Sequence, residues 1–245
     1  TDNAEDNELE KINLDNNKND VAAFFAKGIL GSIPYIGNIT AEIITELIPN
    51  QRTDRIVEFL KILEQKVKNI NSKVLELKFK EKEFIDLFED SCFQASRALS
   101  EDRLELIAIA LANSLTNEEA EHLFAKKLLW LLGEINDMEI IILNGYYYPS
   151  YTPEGKQFWE EHNNVLRIPS LTNDATEKEI EEATFKRSFK ERLSQLELIK
   201  PKYRKPKRGE FPEFDNKTGR IKSSGYEITR MGRMLIDFIH EHINE

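Results

Sequence analysis

The sequence predicts a mainly α-helical protein with one small hairpin near its C-terminal end. Three observations carry this. Apolar residues recur at spacings of three and four through most of the first 135 residues, as on one face of a helix. No alternating strand pattern occurs before about residue 195. Beyond it, two short extended runs flank a loop rich in Gly, Pro and Lys. The 245 residues are 40% hydrophobic and 32% charged, apolar enough for a core and too apolar for an intrinsically disordered chain. Composition divides the chain into an acidic disordered leader (1–18), a helical bundle (19–135) with an apolar hairpin at 21–48, and a C-terminal domain (136–245) with an insertion at 148–175.

Over the first twenty residues seven acids face only Lys11 and Lys18, and the leader is too polar to bury. The stretch Val21 to Ala41 then holds one charge, Lys27, and is broken by Pro34 and Gly37, which predicts two short helices around a bend. After Pro49, Ile56, Phe59, Leu60, Leu63 and Val67 mark one helical face, and the pattern runs on through Leu75 towards Phe79. A second helix is predicted near 81–99, with Phe84, Leu87 and Phe88. A third is capped by Ser100, with Glu101 and Asp102 in its first turn. A fourth opens on a capping box of Thr116 and Glu119, followed by Leu123, Phe124, Leu128, Leu129, Leu131 and Leu132. Asp137 is the expected cap of a helix to about Tyr147, with Ile140, Ile141 and Leu143 inward. An irregular stretch with a short helix near 154–161 follows.

Thr176 and Glu179 form a second capping box, opening a helix to about Leu196. Phe185, Phe189, Leu193 and Leu196 are its expected buried face, with Lys186, Arg187, Lys190 and Ser194 opposite. Lys200 to Arg204 reads as one strand, Lys205 to Lys222 as a turn-rich loop, and Ser223 to Thr229 as the return strand. A closing helix from Thr229 carries Met231, Met234, Leu235, Phe238 and Ile239, with Arg230 and Arg233 on its other side. Helix, helix, recognition helix, strand, wing, strand and closing helix are the ordered parts of a winged-helix domain.

Charge is uneven along the chain. The net charge is −10, yet residues 186–222 hold thirteen Lys or Arg against five Asp or Glu, a balance of +8 that leaves −18 for the rest. A basic island in an acidic chain predicts a polyanionic partner, nucleic acid first and DNA above all. The predicted contacts are Lys186, Arg187 and Lys190 on the third helix of the domain, Lys202 and Arg204 on the first strand, and Lys205, Lys207, Arg208, Arg220 and Lys222 in the wing.

The upstream half resembles a family of bacterial phage-defence proteins, the Abi-alpha type of abortive-infection protein. The segments that carry the resemblance are Gly31-Ser32-Ile33-Pro34-Tyr35-Ile36-Gly37, Ile48-Pro49-Asn50-Gln51-Arg52 and Ala98-Leu99-Ser100-Glu101-Asp102-Arg103. The run from Tyr226 to Leu235 in the closing segment is similar too. The resemblance implies a helical bundle joined to a winged helix in a defence setting, with no catalytic residues to assign.

Sequence motifs predict neither an enzyme nor a cofactor. Gly28, Gly31 and Gly37 lack the spacing of a phosphate loop and a following Lys-Ser/Thr, and there is no His-Glu-x-x-His. One Cys, Cys92, excludes a Cys-based zinc site, and its apolar neighbours predict a buried thiol rather than a nucleophile. The acidic start lacks the basic-then-apolar order of a secretory signal, so a cytoplasmic protein is expected. Three functions remain open. The first is a nucleic-acid-binding module whose bundle recruits a partner or a second copy. The second is a membrane-active effector using 21–48. The third is a protein-interaction scaffold.

Overall fold

A computed structural model describes residues 52–115, 119–148, 150–169, 174–215, 219 and 221–240. The acidic leader, the apolar 21–48 segment, Thr116 and Arg220 lie outside them. The described residues are mainly helical, with ten helices and one two-stranded antiparallel sheet. Contacts divide the chain into two compact units, Thr1–Trp130 with Phe238–Glu245, and Leu131–Asp237.

In the first unit, α1 (Thr53–Val67) packs along α4 (Glu101–Ser114) and α3 (Lys82–Arg97). Ile56, Phe59, Leu60, Leu63 and Val67 are all buried, the face that their spacing predicts. The expected single long helix is interrupted after Val67, and α2 (Ser72–Lys78) begins anew. The cause is local: the Asn71 side chain accepts from the Lys73 amide and caps the new helix, a bond that asparagine makes more readily than it continues a helix. Beyond the break Leu75 and Phe79 are buried, while Val74 and Leu77 stay exposed. Phe79 packs edge-on against Phe84 and Phe88, at ring-centroid distances of 4.9 and 5.4 Å.

Ser100 caps α4 through the Arg103 amide as expected. The buried hydroxyls of Ser91 and Ser114 donate to carbonyls of their own helices, so no hydroxyl hydrogen there is stranded. On α5 (Glu119–Glu134), Leu128, Leu129, Leu131 and Leu132 are buried, while Leu123 and Phe124 are exposed. Cys92 is fully buried, and burial pushes its thiol pKa up.

The second unit is built on α6 (Asp137–Tyr147), which touches α7 (Pro153–Glu161), α8 (Asn163–Leu166), α9 (Glu177–Gln195) and the return strand β2 (Ser223–Ile228). Asn136, one residue before the expected Asp137, caps α6. It forms a reciprocal box with Glu139, whose carboxylate is buried and accepts from the Asn136 amide at 2.8 Å. Ile140, Ile142 and Leu143 form its buried face. Tyr147 fastens α6 to the last helix, α10 (Arg230–Ile239), by donating to Asp237 Oδ1 at 2.6 Å. That hydrogen bond, followed by partial burial, raises the Tyr147 pKa to about 12. A phenol held protonated in the folded state stabilises fully below its unfolded pKa of about 10, and the contribution is lost as pH rises towards 12. Tyr147→Phe is therefore expected to flatten the fall in stability over that alkaline window, checked by urea denaturation at a series of pH values.

The Thr176–Glu179 capping box of α9 forms with both of its halves. The helix ends in a Schellman motif: the Leu198 amide donates to the Leu193 carbonyl and the Glu197 amide to that of Ser194. Glu197 has φ +59°, the left-handed conformation that glycine adopts freely. Glu197→Gly is expected to stabilise the protein by about 0.5–1 kcal/mol, relief of that strain less the added unfolded-state entropy. An upward shift of the thermal midpoint checks it.

Strand β1 (Ile199–Tyr203) pairs antiparallel with β2, Ile199 opposite Ile228 and Lys200 opposite Glu227. Thr229 closes the unit. Its hydroxyl donates to the Glu197 carbonyl at 2.6 Å and accepts from the Gly232 amide, capping α10. Leu235 and Ile236 of that helix are fully buried.

Candidate nucleic-acid interface

The cations predicted on α9 do not form an outer basic face. Ala183 and Leu193 are fully buried, whereas Phe185, expected inside, is 67% exposed. The inward face therefore runs Ala183, Lys186, Lys190, Leu193, at spacings of three, four and three. The Lys186 side chain is only 13% exposed, and its ammonium donates to the Asn164 and Arg167 carbonyls and pairs with Glu182 at 2.7 Å. It ties α9 to the segment around α8 and is spent on its own fold. Lys190 sits over the Tyr146 ring, 5.8 Å from its centroid, and partial burial lowers its pKa. Neighbouring Arg192 grips the C-terminal end of α5, donating to the Glu134 carbonyl and pairing with its carboxylate at 3.0 Å. Of the α9 cations predicted as contacts, Arg187 is the exposed one, and it shares the outward surface with Glu181 and Glu191.

The reason is the chemistry of lysine. Its four-carbon stem is apolar, so it covers a core while the charged end reaches carbonyls at the margin. A two-letter reading of polar and apolar residues places such a side chain outside.

Lys200, Lys202, Arg204, Lys205, Lys207 and Arg208 are all exposed, and no acid interrupts the run from 200 to 208. Strand alternation puts Ile199 and Pro201 towards the core and Lys200 and Lys202 on the opposite side. Opposite Lys202 stands Gly225, which leaves the ammonium without a cross-strand side chain, whereas Lys200 meets Glu227 at 3.3 Å. The register shifts between Lys202 and Tyr203, where the Ser224 hydroxyl donates to the Lys202 carbonyl.

Beyond Tyr203 the chain leaves the ladder. A turn closes where the Glu210 amide donates to the Lys207 carbonyl, with Gly209 at φ +91°. A second constriction follows, with Phe214 bridged to Ile221 and the Lys222 amide donating to the Glu213 carbonyl at 2.8 Å. Lys222 itself lies 3.9 Å from the Glu213 carboxylate, both largely exposed, a contact of little energy. No known family model, curated protein or solved structure matches the chain. The hairpin presents a dense row of cations, a chemistry suited to phosphates spaced along a backbone.

Three exposed aromatics of the hairpin, Tyr203, Phe211 and Phe214, are absent from the cations predicted from sequence. In the sequence Tyr203 stands among Lys and Arg, whereas Phe211 and Phe214 follow the last of that run and alternate with Glu210, Glu213 and Asp215. No described helix is long and apolar enough to cross a membrane, and no group of three or more described His, Cys, Asp or Glu could hold a metal ion.

Proposed function

We propose that the protein binds nucleic acid through the hairpin 199–228, as a non-enzymatic component of bacterial phage defence. The observation that carries this is the run of six exposed cations from Lys200 to Arg208, uninterrupted by acid, in a chain that is otherwise acidic. The order of α6, α9, β1, β2 and α10 supports a winged-helix reading of the second unit, with the hairpin as its wing. In this version the wing is the primary contact. Lys186 and Lys190 belong to the internal support of α9, and Arg187 is a secondary contact. The defence role rests on the resemblance of the upstream half, and the helical bundle supplies the surface for a partner protein or a second copy.

Electrophoretic mobility shift of the full chain against duplex and single-stranded oligonucleotides tests the reading. A shift that weakens steeply with added salt is expected. Absence of any shift at low salt on every probe overturns it.

A further inference from the structure

The hairpin carries side chains that a phosphate clamp does not need. Phe211 is 91% exposed, Phe214 57% and Tyr203 52%. Rings left in water at such exposure contribute little to folding. They are also held on defined backbone. Tyr203 ends the paired strand, Phe211 follows the 207–210 turn, and Phe214 stands opposite Ile221. Tyr203 lies between Lys202 and Arg204, and Lys205, Lys207, Arg208 and Lys222 are exposed on the same hairpin, while Phe211 and Phe214 have Glu210, Glu213 and Asp215 as chain neighbours.

Cations and rings ask different things of a ligand. Cations are satisfied by any nucleic-acid backbone. A ring needs a free π-face, and duplex bases, already stacked and paired, do not offer one. Unpaired bases do, and proteins that hold single strands combine charged grooves with aromatic stacking platforms. A second copy of the chain is the other partner that exposed rings suggest. Across 199–228 nine Lys or Arg outnumber four Asp or Glu, a net positive charge that opposes two hairpins meeting face to face and favours a polyanion.

We propose that the hairpin takes single-stranded nucleic acid, with Tyr203, Phe211 and Phe214 stacking on unpaired bases while the Lys and Arg of the 200–208 run hold the phosphates. This rests on the nucleic-acid reading above and narrows it to a substrate class.

Fluorescence anisotropy of the full chain with labelled oligo-dT, oligo-rU and a mixed-sequence duplex, each of about 20 nucleotides or base pairs, tests the proposal, since single-strand sites reach about 16 nucleotides. At least one single strand is expected to bind about tenfold more tightly than the duplex. Phe211→Ala and Phe214→Ala are each expected to weaken that binding by about tenfold without changing its salt dependence, because stacking releases no counterions. Both rings are exposed, so circular dichroism of the variants should match the parent. Equal or tighter duplex binding overturns the proposal, as does full single-strand affinity in both Phe variants. So does a Phe211→Ala variant that only splits a dimer. Salt-sensitive duplex binding that ignores the rings leaves the broader reading standing and removes this one. Binding to no probe removes both.

Discussion

Replacing Lys202, Arg204 and Lys205 together by Glu is expected to cut nucleic-acid affinity at low salt by about a hundredfold or more. Each of the three is exposed, and no carboxylate of the described residues pairs with any of them. Each phosphate contact contributes about 0.7–0.9 to the slope of log affinity against log salt, so losing three flattens it by roughly 2–3. The contrast that isolates the interface is Lys186→Met. Lys186 faces two carbonyls and Glu182 inside the fold. Its loss is expected to lower stability by about 0.5–1.5 kcal/mol, the net worth of its hydrogen bonds to acceptors that water can reach, while leaving the salt slope intact. A titration in which Lys186→Met weakens binding as strongly as the triple variant, at unchanged stability, would return the contact surface to α9.

The second large effect concerns folding. Gly232→Ala is expected to destabilise the protein by about 3 kcal/mol, at the upper end of overpacking costs. A Cβ at position 232 would sit 2.2 Å from the Leu198 carbonyl oxygen and 2.8 Å from Ile228 Cγ1. The first of these neighbours is backbone, fixed because the same carbonyl accepts from the Thr229 amide, so it cannot swing aside. Gly145→Ala makes a useful comparison. Its Cβ would meet only the methyl end of Leu166, at 2.7 Å, which a rotamer change relieves, so the loss should be smaller. Equal midpoints for the two variants in urea unfolding would contradict this account.

Much of the fold was legible where the chain advertises its own boundaries. Ser100, the Thr176–Glu179 pair and the periodic face of Ile56 to Val67 did so, because caps and faces are local and depend on a few residues. The break at Asn69-Ile70-Asn71 was not read, since periodicity continues across it and only the cap chemistry of Asn71 betrays it. The orientation of α9 was misread for a different reason. Its apolar residues are scattered around the helix, so the winning face was decided by what α6 and β1 could cover. Small Ala183 and two lysine stems won over Phe185. The cations of the hairpin were legible because a turn-rich loop has no core to claim them. The meaning of the rings between them needed their exposure, which composition does not give.

Cys92 has a practical corollary. It is the one sulfhydryl in the sequence, it is wholly enclosed, and its elevated pKa leaves almost none of the reactive anion. Maleimide reagents should therefore pass it by in the folded protein. A cysteine placed at exposed Ser224 would then be a single chemical handle, letting a dye report from the edge of the hairpin on the native background.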